Sequence, residues 1–243
     1  MVTRSEGLRD EVRFWDEVLR THDAQYPDVF AFAFEPLAPL QEHLRELAGT
    51  NPWPTDRGPL RILDVGAGPY TTLGKTLPSG RPVELTAIDP LADEYAALLA
   101  KYGLRPPLRT KAIAGEDIPD HFAPGSFDIV HARNSLDHAE DPMRCIRNMM
   151  TVASSAGAVV LQHRGREGEK QGYRGLHQWN FQLEADPNGA RLVVEQPGIP
   201  RGRRFVVDDE LRAAGHVFSA RHAMVTAPGD GEWLLTVFQK KVA

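Results

Sequence analysis

Gly66 and Gly68 stand in LDVGAGPYT, Leu63 to Thr71, where an apolar run ends in a glycine-rich turn. Such a turn at the carboxyl end of a buried strand lets a ligand approach the backbone closely, and a helix starting there presents unpaired N–H groups. This is the chemistry of a nucleotide-like site; a tight strand-to-helix turn with no ligand is the structural alternative. Asp89 lies 25 positions after Asp64, at the end of the next apolar run, where a carboxylate can accept hydrogen bonds from both hydroxyls of a ribose. Because Pro90 follows, Asp89 also reads as a helix cap. Glu116, Asp117 and Ile118 follow a third apolar run. An acidic side chain beside an apolar one there can receive an adenine amino group and cover its ring, or form a plain surface turn.

Two nucleotide fingerprints fit less well. The dinucleotide motif G-x-G-x-x-G needs a third glycine where Thr71 stands, and Pro69 removes an N–H that a pyrophosphate would use. An NAD-dependent oxidoreductase is therefore a secondary reading. The P-loop motif G-x-x-x-x-G-K-[ST] does not occur.

For proton transfer, His138 in SLDHAED and His177 in GLHQWNF are the candidates, since an imidazole with its ordinary pKa near 6.5 is largely neutral at neutral pH. His138 follows the fourth strand, at the edge where this kind of sheet holds ligands; orienting that loop is its structural alternative. His177 is accompanied by Tyr173, Trp179 and Asn180, a polar and aromatic mixture suited to a small polar ring. Packing of the segment onto the core competes for His177 and Asn180 and is the favoured reading of Trp179. Asp137, His138, Glu140 and Asp141 offer hard ligands within five positions. Acidic residues at a helix start are, however, expected from its dipole, and no metal is expected.

The elements that must position these residues are legible as patterns. Leu8, Val12, Trp15 and Leu19 recur at helical spacing. A proline and aromatic stretch runs from Tyr26 to Pro39, and a second helical pattern from Leu40 to about Ala48 precedes the turn-rich GTNPWPTDRGP. From Leu60, the runs RILDV, VELTAI, LRTKAI, FDIVHA and GAVVLQ alternate with helices expected near 71–77, 91–101 and 141–153. That is the order of a parallel sheet with helices on both faces. His163 to Phe205 is too long for an ordinary connection, although YRGLHQWNF and ARLVVEQ argue that it is ordered. A helix near 208–214 leads to HVFSARHAMV and WLLTVFQK, an antiparallel hairpin turning at PGDG.

The expectation is one α/β domain with a doubly wound, Rossmann-like seven-stranded sheet. It comprises a helical N-terminal extension (1–58), a core (60–162), a lid-like insertion after strand 5 (163–205) and a last part of the sheet (206–243). The charge of -5 argues against a nucleic-acid partner, although Arg201, Arg203 and Arg204 form a short basic run. No apolar stretch reaches the length of a membrane span, and the charged N-terminus lacks a secretory signal. The lone cysteine, Cys145, reads as a buried thiol in a helix. A cytoplasmic location is expected. Homo-oligomer formation is left open.

LDVGAGPYT, LTAIDPL, GEDIP and SFDIVHARNSLDHAEDP together resemble, in order and spacing, the successive motifs of class I S-adenosylmethionine-dependent methyltransferases. The resemblance covers about Leu60 to Gln162, and the terminal hairpin agrees with the antiparallel seventh strand of that family. It implies S-adenosylmethionine as cofactor, with Asp64, Gly66 and Gly68 around its methionine portion, Asp89 at the ribose, Asp117 at the adenine and Asn134 flanking the sulfonium. It also implies methyl transfer, which we expect to be to an oxygen, ahead of nitrogen or carbon, of a small polar metabolite such as a sugar or natural-product intermediate. A cofactor-binding subunit that has lost catalysis is the alternative of another class. Pro69 and Tyr70 vary the family's loop and put its contacts in doubt, and the extension and insertion lie outside the shared core.

Overall fold

Strands with apolar side chains on both faces must be covered on both faces. The computed structural model describes residues 4–50, 58–187, 189–198, 202–227 and 231–241. It opens with α1 (Arg4–Thr21), α2 (Pro27–Phe34) and α3 (Glu42–Thr50). The core follows as β1 (Leu60–Val65), β2 (Val83–Asp89), α4 (Ala92–Lys101), β3 (Lys111–Ala112), α5 (Ile118–His121), β4 (Phe127–Arg133), α6 (Pro142–Val152) and β5 (Ala153–Arg164). Then come α7 (Glu167–Lys170), β6 (Asn180–Asp186), β7 (Gly189–Gln196), β8 (Arg203–Val206) and α8 (Val207–Ala213), before β9 (Phe218–Ala227) and β10 (Gly231–Lys240).

Seven strands form one sheet in the order β3-β2-β1-β4-β5-β10-β9. Its first five strands are parallel, and β10 runs antiparallel to both β5 and β9. Val65 pairs with Ile88 on one side and Ala132 on the other, so the carboxyl ends of β1, β2 and β4 open at one edge. Met143, Ile146, Met149 and Met150 of α6 cover one face against Leu63, Val130 and Val159. Leu40, Leu44 and Leu47 pack on the other against Leu60, Ile62 and Val160. Alternate residues of each strand thus feed different cores, as the period of two requires. α6 starts where Asp141 accepts the Arg144 N–H at 3.0 Å and Pro142 opens the first turn. Cys145 on this helix is buried and free, and burial pushes its thiol well up.

The expected helix near 71–77 does not form. Lys75 and Thr76 instead donate to the Ala38 carbonyl, at 2.7 and 3.1 Å, and Pro39 bridges to Thr76. Gly74 has φ +82°, and a Cβ there would lie 2.0 Å from the Pro39 carbonyl oxygen. The segment therefore lies along the N-terminal extension, and no helix N-terminus follows the glycine turn. Conversely, the stretch from Tyr26 to Pro39 contains a helix, α2, begun by Pro27 and burying Phe30 and Ala33 against Leu19 and Tyr70. The insertion is ordered: β6, β7 and β8 form a separate three-stranded antiparallel sheet. The turn-rich stretch at 51–57, the hairpin turn at 228–230 and Arg201 lie outside the described residues. Among the described residues, no helix is long and apolar enough to cross a membrane.

Candidate cofactor and acceptor site

Where the three strand ends open, α1 lies across them and encloses a cavity of about 430 Å³. Asp64, Gly66, Gly68, Asp89, Asn134 and Glu116 line it, together with His138 and His177. Eight of the sequence candidates from five separate stretches thus meet around one space.

Asp64 is buried at the end of β1, where Oδ2 accepts from Thr71 Oγ1 at 2.6 Å and Oδ1 lies 3.3 Å from His131 Nδ1. Asp89 accepts from the N–H groups of Gly68 at 3.0 Å and Leu91 at 2.9 Å. It therefore ties the glycine turn to the turn before α4 while lining the cavity; it is not the helix cap, because α4 starts later, with Leu91 at the cap position and no side-chain cap hydrogen bond. Burial pushes its carboxyl up to about 6, against the two backbone hydrogen bonds that lower it. Asn134, in the left-handed region at φ 45°, accepts from the Arg164 N–H at 3.1 Å. Glu116 accepts from the N–H groups of Glu140 and Asp141, at 2.9 and 3.2 Å.

The other candidates stand apart from the cavity wall. Asp117 points toward Arg144, 3.6 Å away, and Ile118 is fully buried in the core. Asn180 is buried inside the insertion, where its carbonyl oxygen accepts from the Glu169 N–H at 2.9 Å and its amide donates to Tyr173 Oη at 2.9 Å. It thus organises the insertion. Trp179 packs into the core and donates from Nε1 to the Ala139 carbonyl at 3.0 Å.

His177 Nδ1 lies 2.6 Å from Asp137 Oδ2 and 3.0 Å from His138 Nε2, and His138 Nε2 lies 3.5 Å from that same carboxylate oxygen. The Asp137 carbonyl also accepts from the Gln178 N–H at 3.1 Å, which pins the insertion to the loop after β4. Burial lowers the tendency of His177 to protonate, but its hydrogen bond to Asp137 and the carboxylate charge prevail and raise its pKa. Asp137 is fully buried; burial raises its pKa, yet the neighbouring His138 and His177 hold it below the usual carboxylate range.

Several lining residues were not singled out from the sequence. Glu11 and Trp15 come from α1, and Trp15 Nε1 donates to Glu11 Oε1 at 2.9 Å. The signal was available, because Glu11 falls at helical spacing between Leu8 and Trp15, a carboxylate on the covered face. Trp15 meets Tyr70 and Tyr95 edge-on, at 5.7 and 6.0 Å between ring centres. α1 is held at both ends, by Arg4 to Glu140 at 2.8 Å and by Asp16 to Lys101 at 2.7 Å and Tyr102 at 2.9 Å.

Residues 63–161 match the family model described as a methyltransferase domain. From β1 to β5 the chain therefore carries a methyltransferase domain. A stretch of 95 residues, 35% of this methyltransferase, is 37% identical to non-reducing polyketide synthase AC of Didymella fabae, of which it spans only 4%. The CMeT domain of the citrinin polyketide synthase superposes with a TM-score of 0.54 at 24% identity, over 82% of this chain and 51% of that one. The trans-methyltransferase CalH, in complex with S-adenosylhomocysteine (SAH), superposes with a TM-score of 0.50 at 16% identity, over 92% and 62%. This methyltransferase therefore spans about half of the first solved structure and a small part of the polyketide synthase.

The residues present fit S-adenosylmethionine, the cofactor that the resemblance of the motifs implies. Glu11, Asp64, Asp89 and Glu116 line the cavity with carboxylates, which suit the hydroxyls, amines and positive sulfur of that molecule. Pro69 interrupts the backbone donors that a pyrophosphate needs.

If the ribose is held by ionised Asp89, SAH affinity should fall on acidification. The bound ligand needs the carboxylate as acceptor, and Asp89 takes up a proton as pH drops through about 6. For one required ionisation, the dissociation constant rises about tenfold per pH unit below that point and is flat above it. Calorimetry at pH 5 and pH 7.5 checks this; equal affinities would exclude the role.

Proposed function

We propose that this methyltransferase methylates a hydroxyl oxygen of a small polar metabolite, a sugar or natural-product intermediate, enclosed between α1 and the insertion. The observation that carries this reading is the cavity itself, which the carboxylates at the strand ends line together with His138 and His177. Asp64 and the Gly66 to Gly68 turn would hold the methionine portion, Asp89 the ribose, Glu116 and the neighbouring backbone the adenine side, and Asn134 the region of the sulfur. When bound, the cofactor supplies an electrophilic methyl group on a positively charged sulfur that leaves as a neutral thioether.

The protein must bring the acceptor into line and accommodate its proton. Positioning contributes about 7–11 kcal/mol in favourable cases, against about 3–5 kcal/mol for a general base. α1 serves the first task by closing over the turn and excluding water. Asp137 serves the second by fixing the His177 ring through the 2.6 Å contact, so that the His138 and His177 pair faces the acceptor hydroxyl and takes its proton.

An acidified carbon is the second reading. The same imidazoles would serve a carbon acid. In the decisive experiment, the purified chain is titrated with SAH, with Asp89→Ala alongside. It is then given cofactor labelled in the methyl group and a panel of hydroxylated, amine and β-dicarbonyl acceptors. Label in hydroxylated products supports the proposal, and label only on carbon or nitrogen overturns it. SAH binding without transfer to any member points to a silent cofactor-binding subunit.

A further inference from the structure

We propose that Asp137, His138 and His177 form a binding site for one divalent transition-metal ion of the zinc class. The inference rests on the reading above that the two imidazoles face the acceptor.

Three potential ligand atoms converge here on a single point. Asp137 Oδ2, His138 Nε2 and His177 Nδ1 form a triangle with sides of 2.6, 3.0 and 3.5 Å. An ion about 2.1 Å from each, the ordinary distance for zinc to nitrogen or oxygen, sits about 1 Å out of their plane. The 2.6 Å side is shorter than the roughly 3.4 Å between ligand atoms around a tetrahedral ion, so Asp137 Oδ2 and His177 Nδ1 would move apart by less than 1 Å on binding.

Hydrogen bonding alone leaves the cluster short of protons. His177 Nδ1 carries at most one hydrogen, yet it approaches both a carboxylate oxygen and a ring nitrogen within hydrogen-bond distance. A hydrogen on His138 Nε2 as well would set two N–H groups against each other at 3.0 Å. With its hydrogen on Nδ1, which faces the Glu11 carboxylate 4.0 Å away, His138 presents a lone pair on Nε2. Two electron pairs then compete for one proton, and a cation resolves the competition.

A second observation is independent of this triangle. Asp137 is 1% exposed, and its other oxygen, Oδ1, has no hydrogen-bond partner among the described residues. A buried carboxylate oxygen without a partner is costly, and a cation beside that carboxylate offsets the cost.

Proximity along the chain pointed to other ligands. Glu140 is paired with Arg4, and Asp141 caps α6, so neither reaches the cluster; His177, 39 positions from His138, takes their place. Two imidazoles and one carboxylate leave coordination positions open. Three protein ligands with an open position is the arrangement of catalytic rather than structural zinc. Because His138 and His177 line the cavity, the open positions face the acceptor. With the ion bound, the imidazole lone pairs are committed to it, and an acceptor oxygen ligated there is acidified by the ion in their stead.

The test uses the full chain stripped with a chelator and titrated calorimetrically with zinc chloride. One ion per chain is expected, with affinity weakened at least about 10- to 100-fold in His177→Ala and His138→Ala, since even outer partners of metal ligands carry effects of that size. Cobalt(II) in the same site should give the visible absorption of a four- or five-coordinate ion, lost in both variants. Asp137→Asn adds a third arm if circular dichroism shows it folded; the two histidine variants carry the test otherwise. No saturable binding, or binding unchanged in both histidine variants, overturns the proposal. Titration with SAH without metal separates the two readings: a chain that binds SAH but no ion loses only the metal, and one that binds the ion but no SAH loses the methyltransferase reading.

Discussion

Methyl transfer by His177→Ala should be about 10²- to 10⁴-fold slower than by the parent chain, with SAH affinity changed little. The factor is the ordinary contribution of a positioned acid–base group, the role proposed above for this residue when no ion occupies the cluster. Its ring is fixed by Asp137 at 2.6 Å, and it lines the same cavity as Asp64 and Asp89. Measurement is by single turnover with the acceptor that the labelled panel identifies. The alanine also strips a buried carboxylate of its partner, which costs about 1–3 kcal/mol of stability. His177→Gln separates the two effects, because its amide can still donate to Asp137 while offering no imidazole. It should restore the melting temperature but not the rate. A glutamine variant with parental turnover would assign His177 to folding alone.

Much of the fold was legible because the decisive signals are local. A strand such as RILDV, apolar on both faces, demands cover on both sides, and β1, β4 and β5 follow from that requirement. The terminal hairpin was equally plain, since two long apolar runs around a turn pair with each other. The segment after the glycine turn failed for a non-local reason. TTLGKTL has helix-like spacing, but its backbone donors are taken by Ala38, more than thirty positions earlier, and nothing in the seven residues records that partner. α2 was missed in the opposite way. Proline reads as a breaker, yet Pro27 occupies the first turn, where its missing N–H costs nothing.

The site divides along the same line. Asp64, Gly66, Gly68 and Asp89 sit at strand ends, so reading the strands placed them. Asn180 was drawn into the candidate site by its company, His177 and Trp179, but its amide packs close to Gly168 of α7 and is engaged inside the insertion. The pairing of Asp137 with His177 spans 40 positions and depends on how the insertion folds back. No periodicity encodes such a contact. Glu11 was the missed opportunity, since a carboxylate on the apolar face of an amphipathic helix already implies a polar neighbour beneath it.

Gly66→Ala should abolish measurable SAH binding and lower the melting temperature by at least about 4 °C. Gly66 has φ +69°, and a Cβ there would lie 2.3 Å from Ser135 Cβ and 2.4 Å from Ser135 Oγ. The left-handed backbone costs a non-glycine residue about 1–2 kcal/mol, and about 2–4 °C per kcal/mol is usual at this chain length. The clash adds to this because Ser135 has little room to retreat: its Oγ donates to the Val65 carbonyl at 3.0 Å. Movement of Ser135 would drag the loop that carries Asn134, Asp137 and His138, while movement of the turn would pull Gly68 away from Asp89. Either relaxation separates the two halves of the site. Ser135→Gly in the Gly66→Ala background tests this directly: it removes the colliding atoms and should recover part of the stability and some SAH affinity. Failure of that second change to restore anything would place the whole effect in the backbone conformation of residue 66.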